Sequence, residues 1–124
     1  MSKKVLVADD EAHIRHVLSL KLRNAGYEVV TATDGEEALE VCLSDLPDLV
    51  CTDFQMPYLS GLELCRRLRE NEHTREVPVL LLTGHLMGNE LEGLRELGLA
   101  GWLSKPPDLE QLTQLIGQAL RRQG

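Results

Sequence analysis

Side chains suited to metal and phosphate chemistry follow the short apolar runs of this sequence, each near the C-terminal end of its run. They are three carboxylates, one hydroxyl and one amine: Asp9, Asp10, Asp53, Thr83 and Lys105. Three carboxylates set against one lysine leave two negative charges, which a single divalent cation would neutralise. The predicted ion is Mg²⁺, because it prefers carboxylate and carbonyl oxygens and shares its remaining positions readily with phosphoryl oxygens.

Each of these residues, taken alone, has an ordinary structural explanation. Asp9 or Asp10 can cap the helix that follows, and Asp53 can form a turn. Thr83 and Lys105 can be a strand-end hydroxyl and a surface amine. No such explanation accounts for all five at the ligand-binding edge of one sheet, so the complete set indicates a functional site.

The strands that must position these residues are predicted from apolar patterning. Five short segments qualify: Val5–Ala8, Glu28–Ala32, Leu49–Thr52, Val79–Leu82 and Ala100–Leu103. The first, third and fourth lack strict apolar–polar alternation, which is typical of strands covered by helices on both faces. The second and fifth have weaker patterns and suit the edges of a sheet.

Helices are predicted between the strands. Capping acceptors stand three residues before Glu or Gln in the pairs Asp34 and Glu37, Ser60 and Glu63, and Asp108 and Gln111. Apolar residues also recur at helical spacing after Asp108, from Ile14 to Leu22, and at Met87, Leu91 and Leu94. Five β-α units predict an α/β fold: a doubly wound, flavodoxin-like parallel sheet of five strands in the order 2-1-3-4-5, with five flanking helices. Ligands of such a sheet bind beyond the carboxyl ends of the strands, here between the first and third.

Length, charge and composition restrict the class of protein. The 124 residues, 43% of them apolar, predict a single domain over residues 1–124. The net charge of −7 disfavours direct binding to nucleic acid. The apolar run Val79–Leu82 is far shorter than the roughly 20 residues that span a bilayer, so membrane insertion is not expected. Three cysteines without C-x-x-C spacing and the lack of a signal peptide predict a cytoplasmic location, with Cys51 facing the core.

At these positions the sequence resembles the receiver domains of response regulators, of the kind found in chemotaxis regulators and other two-component systems. The resemblance rests on an ordered set of short motifs: Asp9-Asp10, Asp53-x-x-Met56-Pro57 with Gly61, Thr83-Gly84 and Lys105-Pro106. It covers essentially the whole chain. Each motif alone is weak, but the ordered set, with each member at the end of its predicted strand, is specific.

The resemblance implies that Asp53 takes a phosphoryl group from the phosphohistidine of a sensor histidine kinase or a phosphotransfer protein. It also implies that Mg²⁺ is bound by Asp10 and Asp53, by Asp9 through a water molecule, and by the main-chain carbonyl of Gln55. A phospho-acceptor of this kind phosphorylates and dephosphorylates itself, and is not a turnover enzyme.

By the same resemblance, Lys105 and Thr83 hold the phosphoryl oxygens, and the Lys105–Pro106 peptide bond is cis. Gln55 and His85 occupy positions that tune the access of water to the acyl phosphate and hence its lifetime. A second interpretation stays open for both residues, and more so for His85, namely that they are solvated loop residues without a role.

Trp102 stands three residues before the lysine, where the family carries a switch aromatic that is usually Tyr or Phe. Two interpretations stay open: Trp102 turns inward as Thr83 moves toward the phosphoryl group, or it lies permanently at the surface as a partner-binding anchor. Signalling is expected through the face formed by the fourth helix, the fifth strand and the fifth helix. A phosphorylation-dependent homodimer through that face is one candidate, and the downstream target protein is unknown.

Three rival functions are weighed against this interpretation. A phosphatase of the haloacid dehalogenase type would need an Asp-x-Asp pair, but Gln55 stands two residues after Asp53. A flavodoxin-like cofactor binder would need a phosphate loop after the first strand, where acidic residues stand instead. The main alternative is a receiver-like docking module that is never phosphorylated, which would leave the complete set of site residues without a use.

Overall fold

The computed structural model describes residues 2–84 and 96–123, which form a five-stranded parallel sheet covered by helices on both faces. The strands are β1 Lys4–Ala8, β2 Glu28–Ala32, β3 Leu49–Asp53, β4 Val79–Thr83 and β5 Gly101–Ser104. Their order is β2-β1-β3-β4-β5, as predicted, and the two weaker sequence patterns form the edges. All five predicted strands are confirmed, with ends that differ by no more than one residue.

Four helices lie within the described residues: α1 Ala12–Asn24, α2 Gly35–Asp45, α3 Gly61–Glu70 and α4 Leu109–Gln123. All three predicted caps accept a hydrogen bond from the backbone N–H three residues later: Asp34 at 2.8 Å, Ser60 at 3.1 Å and Asp108 at 3.0 Å. These bonds satisfy donors that have no partner inside the first turn of a helix. The helix predicted from Met87, Leu91 and Leu94 lies outside the described residues.

Side chains that alternate across the sheet divide the core into two layers. Val5 and Val7 face the layer covered by α1 and α4, whereas Leu6 and Val50 face the layer covered by α2 and α3. Cys51 belongs to the first layer, as predicted, and burial beside the charge of Asp9 raises the pKa of its thiol to about 12. The central strands are buried on both faces, which explains their continuous apolar sequences.

No helix in the described part of the chain is long and apolar enough to cross a membrane. The three cysteines of the chain, Cys42, Cys51 and Cys65, are buried as free thiols. They therefore act as small apolar side chains of the core.

Candidate metal centre at the carboxyl edge of the sheet

The parallel register brings the predicted site residues to one edge of the sheet. Asp9 directly follows the last residue of β1, and Asp53 is the last residue of the neighbouring strand β3. Thr83 ends β4 on the other side of β3, and Lys105 directly follows β5. The backbone N–H of Lys105 donates to the carbonyl of Thr83 at 2.9 Å, which connects the last two strand ends.

Asp9, Asp10 and Asp53 form an acidic cluster in which one carboxylate oxygen of each residue lies within 4.8 Å of the others. Asp9 is fully buried, Asp53 is 6% exposed and Asp10 is exposed. Oδ1 of Asp9 accepts a hydrogen bond from the backbone N–H of Glu11 at 2.9 Å, but Oδ2 has no hydrogen-bond partner among the described residues. This oxygen accepts no hydrogen bond but lies 3.1 Å from the ammonium of Lys105, and the three clustered carboxylates outnumber that one cation. The cluster therefore fits a divalent cation that takes oxygen ligands.

Lys105 compensates part of this negative charge. Its ammonium lies 2.8 Å from the carboxylate of Glu11, 3.1 Å from that of Asp53 and 3.1 Å from Oδ2 of Asp9, and only 12% of the lysine side chain is exposed. The ammonium of Lys105 donates its hydrogen bond to Oδ1 of Asp9 at 3.5 Å, whereas its contact with Oδ2 is an ion pair without a hydrogen bond. The bond between Lys105 and Pro106 is cis, as the resemblance implies. Sequence reasoning missed Glu11 as a lysine partner, although it directly follows the two aspartates.

Burial and neighbouring charges shift the ionisation of both central residues. Burial lowers the pKa of Lys105, but hydrogen bonds to Glu11, Asp53 and Asp9 outweigh burial and hold the pKa above its usual value. Burial and the charge of Asp9 raise the pKa of Asp53, against the opposing effects of Lys105 and of the backbone N–H of Gln55. Lys105 is therefore a fixed positive charge at neutral pH, and Asp53 is less acidic than a free carboxylic acid.

Three other residues predicted around the cluster are described, and they lie at the same edge of the sheet: Thr83, Gly84 and Gln55. Thr83 is buried at the end of β4. A Cβ built at Gly84 meets no atom of the described residues within 4 Å. Gln55 is exposed, and its backbone N–H donates to Oδ1 of Asp53 at 3.3 Å. The metal contact of the Gln55 carbonyl stays a prediction, and His85 lies outside the described residues.

Trp102 lies on the outward face of the edge strand β5. It is 43% exposed, whereas the next residue, Leu103, is buried in the core. This outward position of Trp102 in the unmodified protein is compatible with both interpretations, the rotating switch aromatic and the permanent partner-binding anchor. The inward rotation stays a prediction.

The loop between β3 and α3 packs directly against Asp53. Gly61 begins α3, and a Cβ at this position would overlap the carbonyl oxygen of Asp53. Within the loop, Tyr58 has a φ of +70° and is 79% exposed, and the N–H of Leu59 donates to the carbonyl of Pro57 at 2.8 Å. A hydrogen bond across a central residue with positive φ defines the strained form of the γ-turn. The sequence pattern did not indicate this strain.

Comparison with known protein families shows one that spans nearly the whole chain. The family model for the response regulator receiver domain matches residues 5–117. The phosphate regulon transcriptional regulatory protein PhoB of Pseudomonas aeruginosa is 36% identical over 125 residues, which cover 100% of this chain and 54% of that protein. The alkaline phosphatase synthesis transcriptional regulatory protein PhoP of Bacillus subtilis is 38% identical over 123 residues, which cover 98% of this chain and 50% of that protein. The chain thus spans about half the length of these curated relatives.

Solved structures agree with the sequence comparison. The chemotaxis response regulator CheY4 of Vibrio cholerae superposes with a TM-score of 0.89 at 34% identity, covering 96% of this chain and 99% of that one. A putative response regulator from Chloroflexus aurantiacus superposes with a TM-score of 0.90 at 33% identity, covering 98% and 99% of the two chains. The similarity therefore extends over both sequence and fold.

Proposed function

The chain belongs to the response regulator receiver domain family of two-component signalling, and from this membership we propose that it is a switch operated by phosphorylation of Asp53. The observation that carries the proposal is the placement of Asp53. Its buried carboxylate lies at the ligand-binding edge of the sheet, 3.1 Å from the ammonium of Lys105 and inside the cluster with Asp9 and Asp10.

In the proposed reaction, a carboxylate oxygen of Asp53 attacks the phosphorus of a phosphohistidine on a sensor histidine kinase or a phosphotransfer protein. A P–O bond to Asp53 forms, the P–N bond to histidine breaks, and the electron pair of that bond returns to the imidazole. The ammonium of Lys105 and the hydroxyl of Thr83 hold oxygens of the phosphoryl group. Water later releases phosphate from Asp53, so the chain acts as a reversible switch and not as a turnover enzyme.

Mg²⁺ is the cofactor that the cluster fits. Asp10 and Asp53 are the proposed carboxylate ligands, Asp9 acts through a water molecule, and Gln55 contributes its main-chain carbonyl. Support comes from the unbonded buried oxygen of Asp9 and from the 4.8 Å limit on the spacing of the three carboxylates. When bound, the ion would offset negative charge on a transferring phosphoryl group.

Gln55 and His85 are proposed to set the lifetime of the acyl phosphate by controlling the access of water. Signalling is proposed to use the face formed by the fourth predicted helix, by β5 and by α4, which is the fifth predicted helix. Trp102 is exposed on β5. The exposed indole acts either as the rotating element of the switch or as an anchor for a partner. A homodimer that forms on phosphorylation is one candidate output.

Residues 1–124 are proposed to work as one receiver domain in the cytoplasm. The curated relatives matched by the chain are about twice as long. The net charge of −7 argues against direct contact between this domain and nucleic acid. Its proposed partners are proteins.

The proposal is tested by incubating the protein with Mg²⁺ and acetyl phosphate and following its intact mass. We expect one phosphoryl group on the wild type, none on Asp53→Asn and none in the presence of a chelator. Asp45→Asn removes an exposed carboxylate from the end of α2 and should be labelled like the wild type. If neither acetyl phosphate nor a panel of phosphorylated histidine kinases modifies the wild type, the phosphorylation proposal fails and the unphosphorylated docking module replaces it.

A further inference from the structure

Glu11 makes the shortest of the three ion pairs of Lys105, at 2.8 Å. It is the last residue before α1, yet its side chain makes no capping hydrogen bond to that helix. Glutamate is also not among the residues favoured at this position. The local needs of α1 therefore do not explain Glu11, and its contact with Lys105 calls for another reason.

The ammonium of Lys105 has three protons to donate, and the structure uses all three. Its hydrogen bonds go to Glu11, Asp53 and Asp9 at 2.8, 3.1 and 3.5 Å. A phosphoryl group on Asp53 would bring new anionic oxygens to the same place. Phosphorylation removes the negative charge of the Asp53 carboxylate, so the contact with Asp53 can pass to a phosphoryl oxygen. To hold a second phosphoryl oxygen, Lys105 must release Glu11 or Asp9.

The cost of losing each partner differs because the carboxylates differ in burial. Asp9 is fully buried, and a buried carboxylate that loses its cation is strongly destabilised. The side chain of Glu11 is 60% exposed, so water solvates its carboxylate as soon as the ion pair opens. Of the two carboxylates that keep their charge when Asp53 is phosphorylated, Glu11 is therefore the one that Lys105 can release at the lower free-energy cost.

We propose that Glu11 is a positioning residue that holds Lys105 in the unphosphorylated protein and competes with the phosphoryl group for its ammonium. The ion pair between them opens when Asp53 is modified. Glu11 thereby sets how tightly the site holds a phosphoryl group. The inference rests on the proposed function, because it needs a phosphoryl group at Asp53.

The test measures binding of beryllofluoride, a non-covalent mimic of a phosphoryl group, in the presence of Mg²⁺ by titration calorimetry. Exposed ion pairs contribute about 0.2–1 kcal/mol, so Glu11→Gln is expected to tighten beryllofluoride binding by about 1.5- to 5-fold. Affinity for Mg²⁺ alone should stay the same or fall, because the variant has one negative charge fewer near the cluster. These opposite directions separate competition for Lys105 from a general gain in ligand affinity.

Two further variants separate the contact from the charge. Glu11→Asp keeps the charge but is one methylene too short for the 2.8 Å contact, so it should also tighten beryllofluoride binding. Glu36→Gln removes an exposed carboxylate from the first turn of α2 that is not among the ion-pair partners of Lys105, and it should bind like the wild type. Thermal unfolding of each variant shows whether α1 is intact.

The inference would be overturned if both Glu11 variants bound beryllofluoride with the affinity of the wild type. It would also be overturned if Glu11→Gln bound beryllofluoride more tightly but Glu11→Asp did not. The second result would mean that only the charge of Glu11 matters. Absence of beryllofluoride binding to the wild type would be a failure of the proposed function itself, and the inference would fall with it. The wild-type titration thus tests the function, and the variants test the role of Glu11.

Discussion

Replacing Asp53 with asparagine is expected to stabilise the metal-free protein, although the same change removes the proposed phosphorylation site. Asp53 is buried close to Asp9 and Asp10, and its pKa is raised by burial and by the charge of Asp9. Ionised Asp53 therefore opposes folding, because its charge is better solvated in the unfolded chain. Asparagine has nearly the same shape and still accepts a hydrogen bond from Lys105.

The magnitude follows from the distances in the cluster. At an effective dielectric constant of about 20, like charges at the 4.8 Å upper limit of the cluster spacing repel by about 3.5 kcal/mol, and opposite charges 3.1 Å apart attract by about 5.4 kcal/mol. Asp53 is repelled by the buried Asp9, more weakly by the exposed Asp10, and is attracted by Lys105. Burial adds to the penalty, whereas solvent screening at the exposed Asp10 reduces it. We therefore expect Asp53→Asn to raise the free energy of unfolding by about 1–2 kcal/mol near neutral pH.

The effect has a defined dependence on pH. Because the pKa of Asp53 is raised in the folded state, the folded protein binds more protons than the unfolded chain between the ordinary carboxylate pKa of about 3.9 and the raised value. The contribution of Asp53 to the stability of the metal-free wild type therefore falls as pH rises through this window. The advantage of Asp53→Asn is full above the raised pKa, shrinks as pH falls through it, and disappears below about pH 3.9.

The assay is urea denaturation with a chelator present, near neutral pH and again at about pH 4, where the two proteins should approach each other. Mg²⁺ should reverse the order, because an ion at 100 times its Kd stabilises the folded wild type by about 2.7 kcal/mol and the variant by less. The exposed Asp45→Asn change should stay within about 0.5 kcal/mol of the wild type. A metal-free Asp53→Asn protein that is less stable than the wild type at neutral pH would refute the electrostatic reasoning.

Three other substitutions have expected outcomes in the same denaturation assay. Lys105→Gln should destabilise the protein by about 3 kcal/mol, because it leaves the buried carboxylates without their cation, and an unchanged midpoint would contradict that role. Tyr58→Gly should raise the free energy of unfolding by about 0.5–1 kcal/mol, because glycine adopts a positive φ without strain and the lost side chain is exposed. Tyr58→Ala keeps the strain and should not stabilise the protein. Gly61→Ala should lower the free energy of unfolding by about 1–3 kcal/mol and slow labelling by acetyl phosphate, because the added Cβ would overlap the carbonyl oxygen of Asp53. Gly117→Ala in α4 should raise the free energy of unfolding by up to about 1 kcal/mol. Equal effects of the two glycine changes would argue against the close packing on Asp53.

Most of the fold was predictable because its signals are local or periodic. The caps at Asp34, Ser60 and Asp108 act over three residues, so their geometry is encoded in adjacent positions. The buried strands are recognisable from continuous apolar runs, and parallel topology then places their carboxyl ends together. For this reason the positions of Asp53 and Lys105 at one edge could be anticipated without coordinates.

The sequence by itself thus determined the α/β sheet, the strand order and the set of side chains at its carboxyl edge, since each depends on apolar pattern and strand ends. Tertiary structure alone decided how those side chains pair. Whether Asp9 or Asp10 is the buried carboxylate depends on the packing around β1, and the contact between Glu11 and Lys105 joins residues 94 positions apart. The positive φ at Tyr58, in the loop that packs on Asp53 through Gly61, was likewise visible only in the structure. Such features depend on distances between segments far apart in the chain, and these distances are defined only once the whole core is packed.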